Sequence, residues 1–115
     1  MKRFHIFLAL FFHTTLLFSQ NTIGLPDVSN FKKNQYNAGT QNWDIEQDDN
    51  GLIYFANNEG VLVFDGKHWK NHPLPNKTIV RSVHLATNHN LYIGGQDEMG
   101  YFSPGNNGIL EYHSL

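Results

Sequence analysis

The sequence contains no cysteine, which excludes disulfide bonds, thiolate metal sites, cysteine nucleophiles and a lipoprotein anchor. Basic residues are also scarce. Beyond Lys2 and Arg3, only six of the eight Lys and Arg residues remain, against ten Asp and Glu residues. This acidic balance argues against a phosphate-backbone partner, because such partners need clustered positive charge. We therefore expect no direct contact with nucleic acid.

The amino terminus carries the longest apolar run of the sequence. Lys2 and Arg3 precede an apolar stretch over Phe4–Phe18, and Ser19 then supplies a small residue for cleavage. This order is typical of a secretory signal, so residues 1–19 are predicted to be a cleavable signal peptide helix. The run is shorter than the roughly 20 apolar residues that span a bilayer, and we expect no membrane span. The chain is accordingly predicted to be exported.

Residues 20–42 are interpreted as a lead-in segment without clear periodicity, and the pattern changes at Trp43. From there, short apolar and aromatic runs alternate with turn residues, which is typical of consecutive antiparallel strands. Asn50-Gly51, for example, readily supplies the positive φ angles of a hairpin turn. Eight strands are predicted, over Trp43–Gln47, Leu52–Ala56, Val61–Phe64, His68–His72, Val80–Leu85, Leu91–Gly94, Met99–Phe102 and Ile109–Tyr112.

The second group of four strands repeats the first at a constant spacing of 38 residues. Ile45 falls on Val83, and Tyr54 falls on Tyr92. Four short strands in about 40 residues are the expected content of a β-propeller blade, and a ring typically takes about four to eight blades. The sequence thus predicts an all-β fold, with two four-stranded antiparallel blades of an incomplete β-propeller.

We expect the chain to be the amino-terminal part of a longer protein or a truncated gene product. The predicted divisions are a signal peptide over 1–19, a lead-in segment over 20–42, a first blade over 43–75 and a second, incomplete blade over 76–115.

The stretch over Trp43–Gly66 resembles the two-component regulator propeller repeat. In that repeat an apolar strand, a D-x-x-G turn, an aromatic strand, an N-x-G turn and a strand ending in D-G follow one another. Here the three turns are Asp48-Asp49-Asn50-Gly51, Asn58-Glu59-Gly60 and Asp65-Gly66. The stretch over Gly94–Phe102 is similar to the second blade of the same proteins.

The resemblance implies the periplasmic, ligand-sensing propeller of a signal-transduction sensor anchored in the inner membrane. In such sensors a triple-tyrosine β-sandwich, a membrane helix and a histidine-kinase or helix-turn-helix output module follow the propeller. The 115 residues hold no counterpart of these parts, so only the sensing end is implied. Its expected partners are the remaining blades of a longer chain and a small molecule or glycan outside the cytoplasm.

The candidate ligand-binding residues lie in two polar turns. In a propeller, the turn between the second and third strands lies on the same face as the connections between blades, and Thr40, Gln41 and Asn42 would join it there. Short amides and carboxylates beside glycine suit hydrogen bonding to a polar ligand. The alternative is that these residues only shape their turns. The candidates are Asn57, Asn58, Glu59, Gln96, Asp97 and Glu98.

Catalytic and metal sites are not expected from the sequence. His68 and His72 would lie about 13 Å apart on a strand at about 3.3 Å per residue, too far to share an ion. No nucleophile stands beside a base in a known motif, so neither an enzyme nor a cofactor is predicted. Two alternatives stay open. The chain could be the start of a secreted propeller enzyme or binding protein acting on polysaccharide, or a non-functional gene remnant.

Overall fold

The computed structural model describes residues 1–14 and 24–115, with side chains for 1–9 and 24–115. All eight predicted strands are present, and their ends differ from the predicted ones by at most two residues. Two helices precede them, and the short second helix was not expected from the sequence. The elements are α1 (Lys2–Thr14), α2 (Lys33–Tyr36), β1 (Asn42–Gln47), β2 (Ile53–Asn57), β3 (Gly60–Phe64), β4 (Trp69–His72), β5 (Val80–Leu85), β6 (Leu91–Gly95), β7 (Met99–Pro104) and β8 (Leu110–Ser114).

The amino-terminal prediction is only partly covered by the structure. Helix α1 includes the charged pair and the start of the apolar run. The predicted cleavage position at Ser19 lies outside the described residues. Within residues 1–14 and 24–115, no helix combines the length and apolar character needed to cross a membrane.

The strands form two antiparallel four-stranded sheets, in the orders β1-β2-β3-β4 and β5-β6-β7-β8. Their backbones repeat at the same 38-residue spacing as the sequence. The register of the first pair of strands shifts around Trp43 in one sheet and around Arg81 in the other. The following turns are closed by equivalent bonds, from Asp48 N to Leu52 O and from Ala86 N to Asn90 O, each 3.0 Å long. The two sheets are therefore copies of one structural unit.

The sheets pack face to face around one apolar core. Alternate side chains of a strand point to opposite faces, so Tyr54, Ala56 and Val61 share one face of the first sheet. We call this its leading face. Each sheet also has an opposite face, which we call its trailing face. The leading face of the first sheet packs on the trailing face of the second, which includes Val83 and Phe102. Leu74, in the connection between the sheets, is 1% exposed and joins the same core.

The first strands of the two sheets lie side by side, and residues at or near equivalent positions meet there. The Asp44 carboxylate accepts a hydrogen bond of 3.1 Å from the backbone N–H of Val83. Glu46 Oε1 lies 3.3 Å from Nδ1 of His84, its repeat counterpart. The sheets are thus related by a step that places β5 beside β1.

The leading face of the second sheet has a different environment. Its counterparts of Tyr54 and Val61 are Tyr92 and Met99, and Met99 is 64% exposed. Tyr92 packs beside Tyr101, with ring centroids 5.4 Å apart. Within the described residues no further strand covers this face.

The trailing face of the first sheet is covered by the lead-in segment instead of by another sheet. Trp69 stacks on Phe64 with ring centroids 4.2 Å apart. From the lead-in segment, Phe31 packs edge-on against Trp69 at 5.1 Å, and Tyr36 of α2 lies 5.8 Å from it. Phe31 and Tyr36 of the segment therefore form a lid on the first sheet.

Replacing Phe31 with Ser should remove part of this lid and lower the free energy of unfolding by about 1–2 kcal/mol. The reason is that the ring of Trp69, which Phe31 covers, becomes more exposed to water. The emission of Trp69 should shift to the red. A Trp43→Phe background isolates that signal, since the sequence has two tryptophans. Unchanged emission and stability would show that Phe31 does not protect Trp69.

Candidate functional site

The two predicted turns lie at the same end of their sheets. Each turn is bound to the segment that leads into the first strand of its own sheet. Asn58 N donates to Gln41 O at 3.2 Å, and Gln96 N donates to Ile79 O at 3.0 Å. These bonds are equivalent under the 38-residue repeat. We call this end of the two sheets the rim. It contains the residues 40–42, 57–59 and 96–98.

Asn57 is completely buried and uses its whole amide inside the protein. Its Oδ1 accepts from the backbone N–H groups of Gly39 and Glu59, both at 3.0 Å. Its Nδ2 donates to Gly39 O and to Asn42 Oδ1, both at 2.7 Å. All four hydrogen-bonding positions of the amide are occupied. Asn57 therefore holds the rim together, and its geometry fits the turn-shaping alternative.

Trp43 and Arg81 belong to the rim, although sequence reasoning did not select them. Trp43 Nε1 donates to Asn58 Oδ1 at 2.7 Å, and the Arg81 guanidinium lies 4.5 Å from the centre of the Trp43 ring. Both residues stand at the register shifts of β1 and β5. Such bulges re-aim a side chain. Trp43 is nevertheless 44% exposed, which makes it a fixed and accessible aromatic surface.

The remaining predicted residues divide into exposed and bound side chains. Glu59, Gln96 and Asp97 are exposed at the rim. Glu98 instead ties its turn to β8, because its Oε1 accepts from Tyr112 OH and from Ser114 Oγ, both at 2.6 Å. The hydrogen bonds from Ser114 and then from Tyr112 lower the pKa of Glu98. Asn58 belongs fully to neither class, because its amide oxygen already accepts a hydrogen bond from Trp43 Nε1.

Two tyrosines are expected to ionise unusually late. Burial, followed by the nearby Asp48 carboxylate, raises the pKa of Tyr54 to about 12. Burial and the bond to Glu98 raise the pKa of Tyr112 to about 12. Both folded values exceed the usual value of 10.0. Their stabilising contribution is therefore complete below pH 10 and is lost as the pH rises toward 12.

An ultraviolet pH titration should show that two tyrosines ionise near pH 12. The free energy of unfolding should fall as the pH rises from 10 toward 12. Tyr54→Phe and Tyr112→Phe should each remove one late ionisation and flatten the fall. Ionisation of all five tyrosines near pH 10 would contradict the two part-buried hydrogen bonds to Asp48 and Glu98.

In the part of the chain that the structure describes, no three His, Asp or Glu side chains gather closely enough to hold a metal ion. The rim offers an aromatic ring, amides, a guanidinium and carboxylates. These groups can stack on and hydrogen-bond to a polar molecule.

Comparisons with protein-family models, with curated proteins and with solved structures each find no match to this chain.

Proposed function

We propose that the two sheets are consecutive blades of a β-propeller that binds a polar ligand at its rim. The observation that supports this most strongly is the repeat of backbone bonds at 38-residue spacing, with β1 beside β5. In a propeller, each blade buries its faces against its neighbours around a common axis. The covered leading face of the first sheet and the uncovered one of the second fit such an array.

The rim is the proposed ligand site. Trp43 offers a ring for stacking, Gln96 offers an amide, and Glu59 and Asp97 offer carboxylates, all of them exposed. Asn57 and Glu98 support this surface from behind through their internal hydrogen bonds. A small molecule or glycan with several hydroxyl groups suits this combination of a ring and polar groups.

The biological setting that we propose is the periplasm, where the propeller serves as the sensing end of a signal-transduction protein of the two-component regulator propeller type. Lys2, Arg3 and helix α1 support export, because they match the first two parts of a secretory signal. A rim of amides and carboxylates suits hydrogen bonding to a polar ligand.

The binding proposal is tested by screening the full chain against a panel of neutral and acidic oligosaccharides. For an oligosaccharide that binds in this screen, Trp43→Ala and Gln96→Ala should each weaken the affinity by about tenfold or more. Each substitution removes one stacking or hydrogen-bonding group. Asn107→Ala, an exposed change in the turn before β8, is the matched control and should bind normally. Binding that survives both rim substitutions would contradict the proposed site.

The sensor proposal is tested by the DNA that follows the codon for Leu115. Further repeats of about 38 residues, then a β-sandwich, a membrane helix and an output module, are the expected result. Further repeats that end the protein would favour a secreted enzyme or binding protein. An immediate stop codon would contradict the proposal.

A further inference from the structure

We infer that the cleft between the two sheets, at the end opposite the rim, is a second binding site that takes a small amphipathic cation, an amine on an apolar body. The cleft has a volume of about 970 Å³. It lies where the strands end in the turns β1–β2, β3–β4 and β5–β6, and none of the rim residues 40–42, 57–59 and 96–98 lines it.

The cleft lies along the contact between the two sheets, and residues of both sheets line it. Leu74 is buried in the connection between the sheets, and His72, which lines the cleft, packs edge-on against Phe102 with ring centroids 6.1 Å apart. At the end opposite the rim, the second sheet contributes the small residues Ala86 and Gly108. These small residues occupy little of the space, and a ligand in the cleft would contact residues of both sheets.

The inner walls of the cleft are apolar. Leu52 and Val63 of the first sheet, Leu85 and Leu110 of the second and the ring of Tyr54 all line the cleft. These four aliphatic side chains are partly buried against the core. A hydrocarbon or aromatic group of a ligand would cover them and remove apolar area from water.

The net charge of the lining residues determines which sign of charge the cleft favours in a ligand. Lys70 is the only Lys or Arg among its lining residues, so the net charge is −3 with histidines neutral. Backbone bonds from His68 and then Lys67 lower the pKa of Asp65 to about 2, which keeps it ionised. A cleft of one sign concentrates ligands of the opposite sign. The acidic lining residues are Glu46, Asp48, Asp49 and Asp65.

An ammonium group fits these carboxylates better than a metal ion does. Asp48 Oδ1 accepts from two backbone N–H groups of its own turn, and Oδ2 accepts from Tyr54 OH at 3.1 Å. Asp65 Oδ1 is held in the same way by the N–H groups of Lys67 and His68. These oxygens contribute charge without being arranged as a ligand set. Asp49 is exposed, and Glu46 is half-buried with one oxygen 3.3 Å from His84 Nδ1, so these are the two carboxylates that we expect an ammonium group to contact.

The probes are phenethylamine and 3-phenylpropionate, which share a phenyl group on a short chain and differ in the sign of the charge. Each is titrated into the isotope-labelled full chain and followed by amide NMR. Phenethylamine should bind saturably and shift the amides of Leu85, Thr87 and Leu110. The carboxylate should bind at least about tenfold more weakly, because it meets like charge.

Glu46→Gln and Asp49→Asn should each weaken phenethylamine binding by about threefold, as expected for partly exposed charges. Asp27→Asn removes an exposed acidic residue that does not line the cleft, and should change nothing. Equal binding of the two probes, no binding of either, or binding insensitive to both cleft substitutions would overturn the inference. Shifts confined to Asn58 and Gln96 would also overturn it and would assign the amine to the rim.

Discussion

Replacing Asn57 with Asp is expected to lower the free energy of unfolding by about 2–4 kcal/mol, although the two side chains have nearly the same shape. The substitution exchanges an NH₂ donor for an acceptor. Two acceptors, Gly39 O and Asn42 Oδ1, would then face a buried carboxylate oxygen at 2.7 Å. The carboxylate must either remain charged in a site that is 0% exposed or take up a proton. Urea unfolding measures the loss.

The control for Asn57→Asp is Asn107→Asp, which makes the same chemical change in an exposed turn. Its effect should stay within about 0.5 kcal/mol. The Asn57 variant should also gain stability as the pH falls, because protonation removes the buried charge and restores one donor. Equal stabilities of the two variants at neutral pH would show that the amide of Asn57 is not the link between the lead-in segment and β2.

Replacing Gly60 with Ala is expected to cost about 3–5 kcal/mol, which is a large part of the stability of about 5–15 kcal/mol usual for a domain. Gly60 starts β3 with φ +136°, a value that favours glycine. An added Cβ would also overlap the backbone oxygen of His72 and the Cα of Pro73. Since both are main-chain atoms, relief requires β3 and β4 to separate.

Two other glycines separate the two causes of this cost, the backbone conformation and the overlap of the added Cβ. Gly51 has φ +86° but nothing within 4 Å of an added Cβ, so Gly51→Ala should lose only the backbone term of about 1–2 kcal/mol. Gly24 has open space and no positive φ, and Gly24→Ala should be neutral. A Gly60→Ala loss no larger than that of Gly51→Ala would contradict the close pairing at the start of β3.

The strands could be predicted well because each is bounded by a strong local signal. Asn50-Gly51 and Pro73 mark strand ends through backbone preferences that hardly depend on the rest of the fold. The antiparallel order of four strands also fixes which turns share an end, so the turns of Asn58 and Gln96 could be assigned to one rim. The 38-residue spacing then extends the same reasoning to the second sheet.

The parts that could not be predicted depend on contacts between distant segments. Asn57 resembles any polar turn residue in sequence, and its burial arises only when Gly39 packs beside it, 18 positions away. Phe31 finds Trp69 in the same way. The bulges that place Trp43 and Arg81 are invisible to a period-two pattern, although their spacing of 38 residues was a signal that could have found them.

The cleft could not be predicted from the sequence for a different reason. Its volume depends on how far the sheets separate, which is set by the sizes of side chains on both facing surfaces. Leu85 and Leu110 each belong to an ordinary strand pattern. Only the packed structure shows that both side chains line one cleft together with Leu52 and Val63 of the first sheet.

The most direct test of the central claim, that the two sheets are adjacent copies of one unit with their first strands side by side, is a cysteine cross-link between positions 46 and 84. The native chain has no cysteine, so Glu46→Cys with His84→Cys supplies the only thiols. A Lys67→Cys, Gln96→Cys pair, at opposite ends of the two sheets, is the control. A short bis-maleimide should join the first pair rapidly within one chain and leave the control pair unjoined. Equal cross-linking of the two pairs, or none between positions 46 and 84, would contradict the paired arrangement of β1 and β5.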